Sequence, residues 1–216
     1  MIVDERYVSY MNSLSTGNTP LLTEIEREAK STHVPIIRTE MQQFLKTVLC
    51  MSKPAAILEV GAAIGFSSIL MAEYNPVPCK ITTIENYEKR IPIAKANFKR
   101  AGKEDCITLL EGDATNILKE LTTPYDFIFM DAAKGQYIHF WEDIKRLLKP
   151  GGILVSDNVL QDGDLIQSRF AVTRRNRTIH KRMREYLYVL THDEELTTSI
   201  IPLGDGITFS VRREKP

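Results

Sequence analysis

From Ala55 onward, short apolar runs alternate with longer amphipathic stretches, and this alternation constrains the fold more than any other feature of the chain. Ala56–Val60, Lys80–Ile84, Ile107–Glu111, Phe127–Met130 and Gly152–Ser156 read as strands. Phe66–Tyr74, Glu88–Ala101, Ala114–Leu121 and Tyr137–Leu148 read as helices, with Pro92 leaving the start of the second one open. Strand–helix alternation of this kind builds right-handed βαβ units and a parallel sheet. After Arg174 a long helix is expected, then Thr197–Ile201, a Gly204-Asp205-Gly206 turn and Ile207–Arg212, a hairpin that closes one side of the sheet. The first fifty residues read as helical. Thr23-x-x-Glu26 and Thr39-x-x-Gln42 match capping boxes, and Met41, Phe44, Leu45, Val48 and Leu49 share one apolar face. Between these helices Thr32–Ile37 is extended, either a plain connector or a strap over a ligand.

The length of 216 residues fits one domain. We divide it into a helical cap (1–52), a ligand-binding core (55–158), and a basic helix with the closing hairpin (159–216). Lys and Arg together number 28 and so do Asp and Glu, so no global basicity points to nucleic acid and any such signal must be local. Cys50, Cys79 and Cys106 are odd in number and form no C-x-x-C pair, which predicts reduced, buried thiols in a cytoplasmic protein. The charged start lacks the apolar core of a secretory signal. No apolar run nears the ~18 residues that span a bilayer, so no membrane partner is expected. Four scattered histidines disfavour zinc.

The chemistry concentrates in Phe127–Tyr137. An apolar run ends on Asp131, and Lys134 follows in the next loop. In open α/β sheets ligands bind at the carboxyl ends of the strands, where Asp131 would lie. Gly152–Asn158 repeats the pattern and ends on Asp157-Asn158. Two carboxylates and an amide at adjacent strand ends form a hard oxygen cage suited to Mg²⁺ or a similar ion. The alternative for each strand is that Asp and Asn merely cap the helix that follows; the pair together, with Lys134 beside them, favours the site.

A second centre lies in Ala56–Ser67, a strand, a glycine loop and a helix start. Gly61 and Gly65 allow a tight turn and close ligand approach. The spacing is neither the dinucleotide G-x-G-x-x-G nor a P-loop, and acidic Glu59 precedes it. A cofactor with positive charge and no phosphate fits, and S-adenosylmethionine is such a molecule. Glu85 ends the second strand, where a carboxylate accepts ribose hydroxyls. Gly112-Asp113-Ala114 ends the third, where Asp113 could meet an adenine amine.

Leu58-Glu-Val-Gly61, Asp131-Ala-Ala-Lys134, Asp157-Asn158 and Pro202-Leu-Gly-Asp-Gly206 resemble the class I, metal-dependent O-methyltransferases of the catechol and caffeoyl-CoA type. The resemblance covers about residues 30–212. Within that group the chain is most similar to the bacterial tRNA 5-hydroxyuridine methyltransferases, through His33-Val-Pro-Ile36, Asp131–Tyr137, an Arg-rich helix start and Ile200–Gly206. This implies a Rossmann-like class I methyltransferase fold: a seven-stranded, mostly parallel sheet with a C-terminal antiparallel hairpin and N-terminal helices. It implies metal ligation (Mg²⁺ or Mn²⁺) by Asp131, Asp157 and Asn158. It implies S-adenosylmethionine contacts from Ile37, Ser67, Glu85, Asp113, Ala114 and Asp131, with Lys134 the counterpart of the family's proposed general base, and a homodimer.

The segment Arg169–Arg184 bears on the acceptor. It holds seven basic residues and no Asp or Glu. On a helical wheel at ~100° per residue, Ile179, Met183, Tyr186, Leu187 and Leu190 share one arc, and Arg174, Arg177, Lys181 and Arg184 form a stripe opposite. That geometry offers cations to phosphates, although a solvated basic face or a coenzyme A site would look alike. The expected function is methylation of 5-hydroxyuridine at the tRNA wobble position in the anticodon loop, with O5 and O4 standing in for catechol oxygens. A catechol-like small-molecule acceptor is the alternative within enzymes, and a non-catalytic RNA-binding module the alternative outside them.

Overall fold

The computed structural model describes residues 2–214. Seven strands form one sheet: β1 (Ala56–Val60), β2 (Lys80–Glu85), β3 (Ile107–Glu111), β4 (Tyr125–Met130), β5 (Leu148–Ser156), β6 (Leu196–Ile201) and β7 (Ile207–Arg212). Their order is β3-β2-β1-β4-β5-β7-β6. The first five pair in parallel, and β7 runs antiparallel to both β5 and β6. Mostly parallel strands with an antiparallel C-terminal hairpin are what the alternation predicts. The order reverses between β1 and β4, so the loops above those strands diverge and leave a crevice there.

Eight α-helices accompany the sheet among the described residues: α1 (Glu5–Ser13), α2 (Pro20–Ser31), α3 (Thr39–Ser52), α4 (Phe66–Tyr74), α5 (Ile91–Arg100), α6 (Ala114–Glu120), α7 (Tyr137–Leu147) and α8 (Arg177–His192). One core joins α2–α5 to a face of the sheet through Leu22, Leu45, Ile69, Phe98, Phe127 and Phe129. A second joins α6–α8 to the other face through Leu118, Trp141, Ile144, Met183, Ile128 and Leu154. β4 is covered from both sides, and this explains its uninterrupted apolar run.

Local details depart from the sequence reading. Thr19, not Thr23, caps α2, accepting from the Leu22 amide with Pro20 opening the helix. Pro at this position gives up only an amide that has no helical partner. Arg38 caps α3 without a side-chain bond, and Gln42 instead donates to the Ile37 carbonyl at 3.0 Å. Neither capping box forms. The three cysteines are free as expected, but none is buried: Cys50 is exposed and Cys79 and Cys106 are half-covered. Cys50 lies on the outer side of α3, and the other two precede strands, where loops reach solvent. Among the described residues no helix is long and apolar enough to cross a membrane.

Candidate active site

A cavity of about 670 Å³ opens above the crevice, a size typical of small-molecule sites. Its floor is built by the β1 loop. Gly61 takes φ +106°, and a Cβ there would run into the backbone of Asp131. Glycine therefore lets the β1 loop close against the tip of β4. The amides of Gly61 and Ala62 both donate to the Ile84 carbonyl at 3.0 Å. Gly65, at φ +82°, begins α4 against the Phe98 ring.

Glu85 sits at the tip of β2 and lines the cavity. One carboxylate oxygen accepts from the Ala63 amide at 2.7 Å; the other accepts from Asn86 and Tyr87 at 3.0 and 2.8 Å. The carboxylate is thus fixed in place by three neighbouring amides, with lone pairs left for a ligand. Asp113 and Ala114 line the same cavity, and Asp113 also caps α6 through the Thr115 amide. The Thr115 side chain and then that amide hold its carboxyl below the usual range. Ile37 joins the lining together with Pro35, Ile36 and Arg38, so the extended strap covers the cavity rather than merely connecting helices.

Glu59 lies elsewhere. It is fully buried beneath the loop, accepting from the Ser68 and Thr83 hydroxyls, and it is not part of the cavity wall. Burial pushes its carboxyl up, against the pull of the Ser67, Ser68 and Thr83 hydroxyls. Its place is structural: it ties β1 to β2 and to the first turn of α4. Gly65 and Ser67 likewise shape the helix start from below, and Ser67 is almost wholly covered.

At the other end of the cavity the tips of β4 and β5 stand side by side, with Met130 opposite Ser156. Asp131, Asp157 and Asn158 all face in. Asn158 adopts a left-handed φ of 61°, a conformation asparagine tolerates better than most residues. Its amide nitrogen approaches Asp131 Oδ1 at 3.4 Å, and its backbone amide donates to Asp157 Oδ1 at 2.7 Å. Burial raises the Asp131 carboxyl to about 6, opposed by Asn158 and Lys134. Burial and then the Asp131 charge raise Asp157 to about 7. Two crowded carboxyls that resist ionisation together are what a cation would relieve. Among the described residues no three His, Cys, Asp or Glu side chains form a metal-ligating group; the donor set here is two carboxylates and an amide.

Two partners of this cage are not apparent from sequence spacing. Asp205, 4% exposed in the turn between β6 and β7, accepts from the Lys134 ammonium at 2.7 Å. It also accepts from the Asp162 amide. The Tyr137 hydroxyl lies 3.1 Å from the Met130 carbonyl and 3.0 Å from the Asp157 carbonyl, sharing its proton between the two strand ends. Tyr186 packs edge-on against Tyr137, and its hydroxyl meets Ser156 at 2.6 Å. The strand tips are therefore braced from below by α7 and α8.

The basic stripe is only partly realised. The apolar arc of α8 faces inward, with Met183, Tyr186, Leu187 and Leu190 buried. Lys181 and Arg184 are exposed, but Arg174 falls in the turn before the helix. Arg177 is half-covered, donating to the Val172 carbonyl at 3.3 Å and lying over the Phe170 ring. A nearby backbone carbonyl and an aromatic face satisfy that guanidinium, so it is turned from the open stripe.

Residues 12–213 match the O-methyltransferase family model. The chain belongs to the O-methyltransferase family. It is 31% identical over 179 residues to a caffeoyl-CoA O-methyltransferase of Stellaria longipes, covering 79% of this chain and 73% of that one. A catechol O-methyltransferase of Niastella koreensis is 29% identical over 167 residues, covering 76% and 70%. Among solved structures, the SAH-bound methyltransferase PaMTH1 of Podospora anserina superposes with a TM-score of 0.86 at 27% identity, over 98% of this chain and 95% of that one. The family's seven-stranded sheet, with its antiparallel C-terminal strands, is the sheet described above.

Proposed function

We propose that this O-methyltransferase moves a methyl group from S-adenosylmethionine to a hydroxyl with a second oxygen beside it, on a small acceptor of the catechol type, with help from a divalent cation. One observation carries the reading: a single cavity holds both the carboxylate of Glu85 and, at its far end, the cage of Asp131, Asp157 and Asn158. The SAH-bound relative supports the choice of donor, and the catechol and caffeoyl-CoA relatives support the acceptor.

The donor set fits Mg²⁺ or Mn²⁺, both of which prefer hard oxygen ligands. Such an ion supplies Lewis-acid polarisation that lowers the pKa of the acceptor hydroxyl. Ligation by Asn158 calls for its amide oxygen, and its side chain is short enough to present either end. Glu85 orients the donor's ribose, Asp113 its base, and the glycine loop lets the backbone approach. Lys134 stands beside the acceptor end as a cation paired with Asp205. There it stabilises the attacking oxyanion; as an ammonium it has no lone pair, so to take the acceptor's proton it must first give up one of its own.

The tRNA wobble reading comes second. The relatives named above put small acceptors ahead of it, and one observation keeps it: Lys181 and Arg184 stand exposed on a segment with no acid from Arg169 to Arg184. Labelled methyl transfer from S-adenosylmethionine, offered a catechol and 5-hydroxyuridine-containing tRNA in parallel, separates the two. Transfer to catechol is expected. Transfer to tRNA alone overturns the first reading, and transfer to neither overturns both.

A further inference from the structure

Where β4 and β5 end, a side chain interrupts the hydrogen-bonded ladder between them. The last residues in register are Phe129 with Val155 and Met130 with Ser156, which makes Asp131 and Asp157 the next two in line. The Asp157 amide still donates to the Met130 carbonyl at 2.9 Å. A regular parallel ladder would follow that bond with one from the Ala132 amide to the Asp157 carbonyl. Here the Asp157 carbonyl accepts instead from the Tyr137 hydroxyl at 3.0 Å, and the Met130 carbonyl lies 3.1 Å from the same hydroxyl. The Ala132 amide, the donor that rung would use, meets the phenol oxygen. A hydroxyl thus stands between the two strands in the place of the next rung.

The packing of α7, and not the strand tips, decides where this hydroxyl stands. Tyr137 opens α7, is fully buried, and sets its ring edge-on to Tyr186 with centroids 5.4 Å apart. An oxygen held between an amide and a carbonyl keeps them farther apart than a direct bond of about 2.9 Å. The Asp131 amide is anchored on the other side, donating to the Val60 carbonyl of β1 at 3.0 Å. A change in spacing therefore falls on Asp157.

We propose that Tyr137 is a positioning residue of the methyl-transfer site: its hydroxyl wedges the ends of β4 and β5 apart and so sets the gap between Asp131 and Asp157 that a divalent cation fills. The inference rests on the cation of the proposed function and goes beyond it, assigning the width of the cage to a residue outside the cavity wall. Without the hydroxyl, the Ala132 amide is free to bond the Asp157 carbonyl directly, the tips close, and the two carboxylates crowd each other. Removing a group that supports metal ligands from behind typically costs about 10- to 100-fold in metal affinity.

The test is calorimetric titration of chelator-stripped protein with Mn²⁺, without donor or acceptor, for the native chain, Tyr137→Phe and Tyr186→Phe. Phe at 137 keeps the ring and its contact with Tyr186, so the variant folds. Tyr186→Phe is the control: it also removes a buried hydroxyl, the one that meets Ser156 at 2.6 Å, one residue short of the tip. Melting curves fix a temperature at which all three chains are folded. The Mn²⁺ Kd is expected to rise about tenfold or more in Tyr137→Phe and to stay native in Tyr186→Phe, with S-adenosylhomocysteine affinity unchanged in both. A native Mn²⁺ Kd in Tyr137→Phe overturns the proposal. Equal losses in the two variants, or a matching loss of S-adenosylhomocysteine affinity, also overturn it, since the hydroxyl would then serve only general stability. A native chain that binds no Mn²⁺ overturns the proposed function and this inference with it, whereas native binding that Tyr137→Phe leaves unchanged overturns this inference alone.

Discussion

Asp131 and Asp157 share a site in which both carboxyls titrate above the ordinary value of 3.8. A carboxyl raised in the folded state keeps a proton that the unfolded chain has already lost. The pair thus adds stability that is fully present below about 4 and is lost as pH rises through about 6 to 7. In chelator-treated protein, Asp157→Asn, which imitates the protonated form, should therefore melt near the native temperature at pH 5 and above it at pH 8. Equal differences at the two pH values would remove the strained pair. Protons compete with cations for these oxygens, so Mg²⁺ affinity should also weaken below pH 7. Asp205 makes a different prediction. Asp205→Asn removes the Lys134–Asp205 ion pair, and kcat/KM should fall by about tenfold or more, ~1.4 kcal/mol, with the loss mainly in kcat. Unchanged kcat would mean that Lys134 needs no anchor. Asp131, Asp157 and Asn158 were legible because each ends an apolar run whose strand direction fixes where the next side chain stands. Asp205 was not, because its bond to Lys134 joins positions 71 residues apart. Glu59 shows the converse: an acid beside a glycine loop suggests a ligand, but β1 turns its side chain into the protein to meet Thr83 and Ser68.

At the level of elements, the β1 loop is the piece that joins the two halves of the site. Gly61→Ala places a methyl group against Asp131 and strains a positive φ, each effect worth on the order of 1–3 kcal/mol. A melting temperature several degrees lower and lost donor binding are expected; a native melting curve would mean the loop tolerates a side chain. Glu85→Ala should raise the donor Kd more than tenfold, ~1.4 kcal/mol, in equilibrium binding. A negligible shift would mean that the ribose lies elsewhere. The alternation of strands and helices was visible because period and length differ between the two. Boundaries were less so. β5 begins at Leu148, four residues before the apolar run, because Leu148 pairs with Tyr125 across a register shift that Lys149-Pro-Gly-Gly152 disguises as a turn. The α8 stripe was misjudged for a similar reason: the helix starts at Arg177, and the segment before it curls back to occupy that side chain.

On the scale of the molecule, strand order decides where chemistry is possible. β1, β2 and β3 build outward to one side and β4, β5 and the hairpin to the other, so that ligand-facing tips from both halves meet above β1 and β4. The neutral formal charge conceals an uneven distribution: the carboxylates of the cage stand at the strand tips, and Arg169–Arg184 holds seven Lys and Arg residues with no Asp or Glu. The central claim is that the tips of β4 and β5 bind a divalent cation beside the methyl donor. Its most direct test is methyl transfer to a catechol by chelator-stripped enzyme, with and without added Mg²⁺. No transfer after stripping, recovery on Mg²⁺ addition, and no recovery in Asp157→Ala despite retained donor binding are predicted. Full activity of the stripped enzyme, or of the variant, would contradict the account.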